Sequence, residues 1–239
     1  MKQLEIQNFP RLTFEMTEAL NQFRINLGFC GGGIKTIMMT SSTPNEGKTF
    51  LTMQLWKMMT EVGSSVVVID CDLRKSEVRS LYGLKTARKL LGVPHYLSEK
   101  AELQDVLYQT NVPNGYMIPA ATSVTNPTIL LENGRLGQML EQCAQRFDYV
   151  LVDTPPIGTV ADGLNIAPRC DGAVLVVHSG ETPRKLVDHS LQLLHRTETP
   201  LLGIVLNRMD TGRRSQAYYH RYYRSYYSYQ SSYAPEGKS

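Results

Sequence analysis

Four short apolar runs constrain this chain more than anything else in it: Ser65 to Asp70, Tyr149 to Asp153, Ala173 to His178 and Leu201 to Leu206. A strand with one wet face alternates apolar and polar residues. One that is apolar at nearly every position must be covered on both faces, which is the condition of a central strand in a parallel sheet. A fifth run, Ile34 to Ser41, ends in small residues. Helical stretches lie between the runs: Lys48 to Val62, rich in Met and Leu, then Glu102 to Tyr108, Pro127 to Arg146 and Pro183 to Arg196, with Asn126 and Thr182 placed as N-caps. Strands alternating with helices predict an α/β fold built on a doubly wound, mainly parallel sheet. An amphipathic helix over Phe14 to Leu27 comes before it, closed by a Cys30-Gly31-Gly32-Gly33 break. The predicted parts are therefore a helical region at 1–33, an α/β domain at 34–210 and a tail at 211–239.

With 239 residues the chain can bury a core that needs no disulfide or metal staple. Cys30, Cys71, Cys143 and Cys170 form no C-x-x-C pair and read as reduced, buried thiols. The histidines show no ligand spacing, so no metal site is expected beyond one for Mg²⁺. No apolar run approaches the ~18 residues that span a bilayer, and Met1 to Glu5 begins nothing like a signal peptide. These features predict a soluble, intracellular protein that can dock on a membrane partner. The net charge of +3 is too small to imply nucleic acid, but it is unevenly spread: between Arg213 and Tyr233 stand four arginines and no acid.

Three motifs carry chemistry. Ser42-Thr43-Pro44-Asn45-Glu46-Gly47-Lys48-Thr49 fits a phosphate-binding loop, except that Ser42 stands where the first glycine is usual. Backbone N–H groups of such a loop curl round the β- and γ-phosphates of ATP, a lysine (here Lys48) adds a cation, and a hydroxyl (here Thr49) binds Mg²⁺. Asn45 tolerates a left-handed backbone and can do part of a glycine's work. In the second motif, Asp70-Cys71-Asp72-Leu73-Arg74, an apolar strand ends in two carboxylates and an arginine. Alternate residues of a strand face the same way, so Asp70 and Asp72 can both address the rim of the sheet, while Cys71 packs elsewhere. The third, Asp153-Thr154-Pro155-Pro156, sets an aspartate at another strand end, placed to hold Mg²⁺ through water opposite Thr49. For either strand-end aspartate the plainer alternative is a helix cap.

The tail holds eight tyrosines in sixteen residues: Tyr218, Tyr219, Tyr222, Tyr223, Tyr226, Tyr227, Tyr229 and Tyr233. Alone, it is compatible with phosphorylatable hydroxyls, with stacking on single-stranded nucleic acid, or with a low-complexity end that has no partner. Beside an ATP site the first reading is favoured. Together the four features resemble the bacterial tyrosine kinases that control capsule and exopolysaccharide export. That family combines a P-loop containing proline and glutamate, a D-x-D-x-R segment, a D-T-P-P segment and a tyrosine-rich tail.

The resemblance implies a P-loop NTPase fold of the deviant Walker type and an ATP- and Mg²⁺-dependent protein-tyrosine autokinase. Its nucleotide site would comprise Ser42 to Phe50, with Asn207 and Arg208 near the adenine. It also implies a homo-oligomer, in some members a ring, docked through an E-x-x-R-x-x-R helix, which here reads Glu18, Asn21 and Arg24, followed by Asn26 and Leu27, with Asn21 in place of the middle arginine. A transmembrane polysaccharide co-polymerase-type activator, a tyrosine phosphatase and a cytoplasmic location at the inner face of the membrane follow from the same likeness, with no role for nucleic acid.

In this reading Lys48 and the loop amides hold phosphate, Mg²⁺ lies among Thr49, Asp70 and Asp153, and a carboxylate takes the tyrosine proton. Asp70 is the first assignment for that base and Asp72 the alternative, while Arg74 either steadies the transferred phosphate or makes a structural salt bridge. The main rival is a switch ATPase of the partition or division-site class. Such ATPases carry a second lysine where this chain has Thr43, and that difference, with the tail, favours the kinase.

Overall fold

Each of the predicted apolar runs is a strand. The computed structural model describes residues 2–209. They run, in order, as β1 (Lys2–Ile6), α1 (Phe14–Gly28), β2 (Thr36–Ser41), α2 (Lys48–Glu61), β3 (Val66–Asp70), α3 (Val78–Tyr82), β4 (Leu84–Lys85), α4 (Val93–Leu97), α5 (Leu103–Val106), β5 (Tyr108–Thr110), β6 (Gly115–Ile118), α6 (Pro127–Glu132), α7 (Gly134–Arg146), β7 (Tyr149–Asp153), α8 (Asp162–Ile166), β8 (Gly172–His178), α9 (Arg184–Arg196) and β9 (Leu201–Asn207). A 3₁₀ turn, Ala167–Arg169, follows α8. The chain divides into a unit ending at Asn207 and a second beginning at Arg208. The eight tail tyrosines lie outside the described residues.

The strands form one sheet in the order β4-β1-β5-β6-β3-β7-β2-β8-β9. Only β1 with β4 and β5 with β6 pair antiparallel. At the centre β3, β7 and β2 run parallel and in step, with Asp70 level with Asp153 and Met39 level with Asp153 on its other side. Two functional carboxylates and the start of the phosphate-loop motif thus reach the carboxyl rim of three adjacent strands. Open α/β sheets bind ligands at that rim.

The central strands β2, β3, β7 and β8 are apolar because each feeds two cores. Val66 and Val68 point into one, with Leu20 and Leu27 of α1 and Met53, Leu55 and Trp56 of α2. Val67 and Ile69 point into the other, with Leu136, Met139 and Leu140 of α7. Burial of each such side chain contributes about 1.5–3 kcal/mol. Leu201 to Leu206, expected to be covered on both faces, is instead the edge strand β9, with Leu201, Ile204 and Leu206 exposed.

Several predicted boundaries change. The long helix over Pro127 to Arg146 breaks at Asn133, which is extended (φ −69°, ψ 155°) and caps α7 by accepting from the Arg135 amide. Glu102 to Tyr108 is a single turn, α5, after which Tyr108 enters β5. Asn126 precedes α6 without a side-chain cap bond, and α9 starts after Pro183, so Thr182 is not its cap. Residues 1–33 contribute a strand as well as a helix, since β1 joins the sheet beside β5. Of the four cysteines, Cys30 is exposed rather than buried. No helix of the described residues is long and apolar enough to cross a membrane.

Trp56 is fully buried and donates from Nε1 to the carbonyl of Val66 at 3.0 Å. Its ring lies against Gly115, where an added Cβ would sit well inside van der Waals contact. The hydrogen bond from Nε1, two bonds from the Cζ2 that an added Cβ would strike, pins that edge of the ring so that it cannot step aside. Gly115→Ala should therefore cost about 1–3 kcal/mol through overpacking, seen as a lower urea midpoint at an unchanged m-value.

Candidate active site

The loop between β2 and α2 is shaped by its own acid. Glu46 is nearly inaccessible, and its Oε2 accepts from the amides of Ser42 (2.6 Å) and Thr43 (3.0 Å). Oε1 accepts from the Thr182 hydroxyl, which in turn accepts from the His178 amide. The carboxylate that the motif places beside the nucleotide thus turns inward and holds the first two amides of the loop. That suits an anion site, since a carboxylate beside phosphate would repel it.

Asn45 (φ 65°) and Gly47 (φ 88°) supply the left-handed backbone that turns the chain into α2. Gly47 admits no side chain, because a Cβ there would collide with the amide of Asn207. That amide donates to the Glu46 carbonyl at 2.8 Å, so the end of β9 braces the loop. Pro44 and Asn45 are exposed at its tip, and Phe50 packs its ring against the α1–α2 core. Arg208, first residue of the second unit, is exposed with φ 54°.

At the start of α2 the helix has no carbonyls for its first amides, and there Lys48 and Thr49 meet the strand-end carboxylates. Lys48 Nζ lies 3.3 Å from Asp72 Oδ2, 3.4 Å from Asp153 Oδ1 and 3.2 Å from Thr49 Oγ1. Thr49 donates its hydroxyl to Asp153 Oδ2 at 2.7 Å. Asp70 accepts from the Asp72 amide at 3.2 Å and from the Ser76 hydroxyl, and Asp72 accepts from the Lys75 amide at 3.0 Å.

Three carboxylates around one ammonium leave a buried negative excess. Burial, with the neighbouring Asp153 charge, pushes Asp70 up to about 7. Burial raises Asp153 as well, against the pull of Lys48. For Lys48 burial disfavours the charge, but Asp153, Asp72 and Asp70 together outweigh it and hold the ammonium above its usual range. Cys71, between the two acids, is buried in the α7-side core with its thiol raised well above normal by burial, as suits a packing residue.

Arg74 is committed elsewhere. Nε and Nη2 bind Asp162 at 2.6 and 2.9 Å, and Thr128 donates to the same carboxylate at 2.8 Å. Of the two readings of Arg74, this geometry is the salt bridge. Sequence reasoning missed Asp162, Ser76 and Thr182. An aspartate opening a short helix looks like a cap, and nothing local pairs it with an arginine 88 residues away.

A nucleotide phosphate and a divalent cation fit these residues: amides without intrahelical carbonyls at a helix start, a lysine, and a hydroxyl beside carboxylates in surplus. Among the described residues no three His, Cys, Asp or Glu side chains form a metal cage. Mg²⁺ does not need one, since it is usually held by one or two carboxylates with water and substrate phosphates.

Comparison with known proteins agrees with this chemistry. The profile of the AAA domain family matches residues 34–169. Tyrosine-protein kinase CpsD of Streptococcus agalactiae is 34% identical over 211 residues, which are 88% of this chain and 91% of the relative. This chain belongs to the bacterial tyrosine-protein kinases. It is a protein-tyrosine kinase that uses a nucleotide. The kinase domain of Escherichia coli tyrosine kinase ETK superposes with a TM-score of 0.75 at 28% identity, covering 82% of this kinase and 78% of that chain. The septum site-determining protein MinD of Pyrococcus horikoshii, solved with Mg-ADP, shares the fold at 22% identity and a TM-score of 0.64, covering 76% and 73% of the two chains.

Without metal, the site should oppose folding above neutral pH. An unfolded aspartate titrates near 3.9 and Asp70 at about 7, so between these values the folded protein binds a proton that the unfolded chain has released. The linked stability is full below about pH 4 and is lost as pH rises through about 7. Asp70→Asn removes that loss. In EDTA its melting temperature should match wild type near pH 4 and exceed it by several degrees at pH 8. A difference independent of pH would show that Asp70 is not the displaced group.

Proposed function

We propose that this kinase transfers the γ-phosphate of ATP to the tyrosines of its own C-terminal tail, between copies of the chain, and that this regulates capsular or exopolysaccharide synthesis and export. The observation that carries the reading is the convergence of Lys48, Thr49, Asp70, Asp72 and Asp153 at one rim, in a chain with eight tyrosines between positions 218 and 233. Phosphoryl transfer asks a protein mainly for positioning and charge neutralisation. The loop from Ser42 to Gly47 and the first amides of α2 cradle the phosphates, and Lys48 turns from its carboxylates to the β- and γ-oxygens. Mg²⁺, held by Thr49 and by Asp153 and Asp70 through water, would neutralise phosphate charge. A tyrosine oxygen attacks the γ-phosphorus, the bond to the bridging oxygen breaks, and ADP leaves. Asp70, buried beside the transfer path and short of positive partners, takes the phenolic proton as the new bond forms. Asp72 keeps Lys48 in place, and Arg74 locks the D-x-D-x-R turn onto α8 through Asp162. Asn207 braces the loop through the Glu46 carbonyl, and the likeness to the family supports a contact of its amide with adenine.

The likeness to exported-polysaccharide kinases supports a transmembrane activator, an opposing tyrosine phosphatase and a position at the inner face of the membrane. Arg24, in the helix motif with Glu18, has its Nε buried with no hydrogen-bond partner among the described residues, which suits docking on a second copy in a ring. Partition and division-site ATPases share the fold, but Thr43 in place of their second lysine and the tyrosine tail set this chain apart.

Phosphosite mapping after incubation with Mg-ATP should place nearly all label between Tyr218 and Tyr233. Lys48→Met should reduce labelling at least about 100-fold, the usual cost of removing one charge-stabilising donor. Mixed with an active partner whose tail tyrosines are Phe, the Lys48→Met protein should itself become labelled. An unlabelled tail on a folded, associating Lys48→Met protein would rule out transfer between copies.

A further inference from the structure

A cavity of about 600 Å³ lies outside the site just described, lined by Arg79, Lys85, Arg88, Lys89 and His95 and by no aspartate or glutamate. Among the described residues none of its arginines or lysines is in an ion pair. Like charges gathered in a concavity focus potential and favour a compact polyanion, and arginine supplies the fork that matches phosphate oxygens. One wall is tied to the sheet. The amide of Val93, which opens α4, donates to the Pro119 carbonyl at 2.9 Å, tying the helix that carries His95 to the end of β6.

That end also gives the cavity its address. Ile118 of β6 is level with Ile69 of β3, so Pro119 is level with Asp70, and Ala121 on the cavity wall is two residues further along the same rim. β6 ends at Ile118 and Ala121 is left-handed (φ 62°), so one strand spacing plus two residues of chain puts the near wall at most about 12 Å from Asp70. In an extended chain, residues three apart are separated by about 10 Å, and the tail repeats that spacing from Tyr219 to Tyr222 and from Tyr223 to Tyr226.

We propose that this basic cavity is a phosphate-monoester subsite that takes a phosphotyrosine already formed on the tail of a second copy, presenting the tyrosine three residues away to the Asp70 rim. The inference rests on tail phosphorylation as the function. It makes the first phosphate on a tail a primer for the next, so that labelling of one tail becomes processive. A concave receptor beside the site that makes phosphotyrosine suits a point dianion on a peptide better than a flat anionic bilayer.

The test uses full-length Lys48→Met protein and a fluorescent synthetic peptide of residues 221–230, with and without phosphate on Tyr223. The phosphopeptide should bind at least 10-fold more tightly than its unphosphorylated twin. Arg88→Glu with Lys89→Glu should abolish that preference, Arg88→Gln with Lys89→Gln should weaken it, and the charge-conserving exchange Arg88→Lys with Lys89→Arg should keep most of it. Equal affinity for the two peptides, or a preference that survives charge reversal, overturns the proposal. So does cavity-dependent binding of phosphatidylglycerol vesicles without phosphopeptide preference, which would assign the patch to a membrane surface. Because the phosphate on the probe is synthetic, this result is independent of whether the protein labels its own tail, which phosphosite mapping decides separately.

Discussion

One ammonium set among three carboxylates is the interaction on which the site depends. Lys48 reaches Asp72 and Asp153 at 3.3 and 3.4 Å, and Asp70 stands level with Asp153 on the adjoining strand. In water such a group would be unremarkable, but here Asp70 and Asp153 are only 1% exposed. A buried charge is costly unless paired, and one lysine cannot pair three acids. The folded protein therefore carries unbalanced negative charge beside the start of α2, whose first amides have no intrahelical carbonyl. Positive charge brought with a nucleotide relieves it. In the proposed function, the arrangement that strains the bare protein is the one that favours a metal-bound polyphosphate.

The sheet enforces that arrangement. β3, β7 and β2 are parallel and in register, so their carboxyl ends reach one level without any loop having to position them. The loop is then trimmed from behind: Glu46 gathers the amides of Ser42 and Thr43, Thr182 holds Glu46, and Asn207 fills the space that Gly47 leaves. Ser42, standing where the first glycine is usual, is held through its amide by the same internal anion. Strands β8 and β9, far from the D-x-D motif in sequence, thereby act on the phosphate loop directly.

Much of this was legible in the sequence wherever one element carries the whole signal. Val66 to Asp70 and Tyr149 to Asp153 announce themselves by apolarity and a terminal aspartate, and the loop by its spacing. What the sequence hid is pairwise and distant. Arg74 finds Asp162 across 88 residues, and Ser76 finds Asp70 through a turn with no strong pattern of its own. Glu46 looked like a nucleotide contact because its motif position is known and the direction of its side chain is not. Strands β1, β4, β5 and β6 were missed because they are short and border the sheet or its antiparallel part, where β propensity is weak and neighbours decide. The break at Asn133 went unseen because the apolar period continues across it while only the backbone turns.

The most direct test of the central claim is the thermal midpoint at pH 8 in three conditions: EDTA alone, ADP with EDTA, and ADP with Mg²⁺. A ligand that binds only the folded state raises stability by mass action. If the carboxylate excess is what the cation relieves, Mg-ADP should raise the midpoint well beyond ADP alone. In Asp153→Asn most of that extra gain should vanish while the gain from ADP alone remains. Equal gains from ADP with and without Mg²⁺, or an undiminished metal effect in Asp153→Asn, would contradict the account.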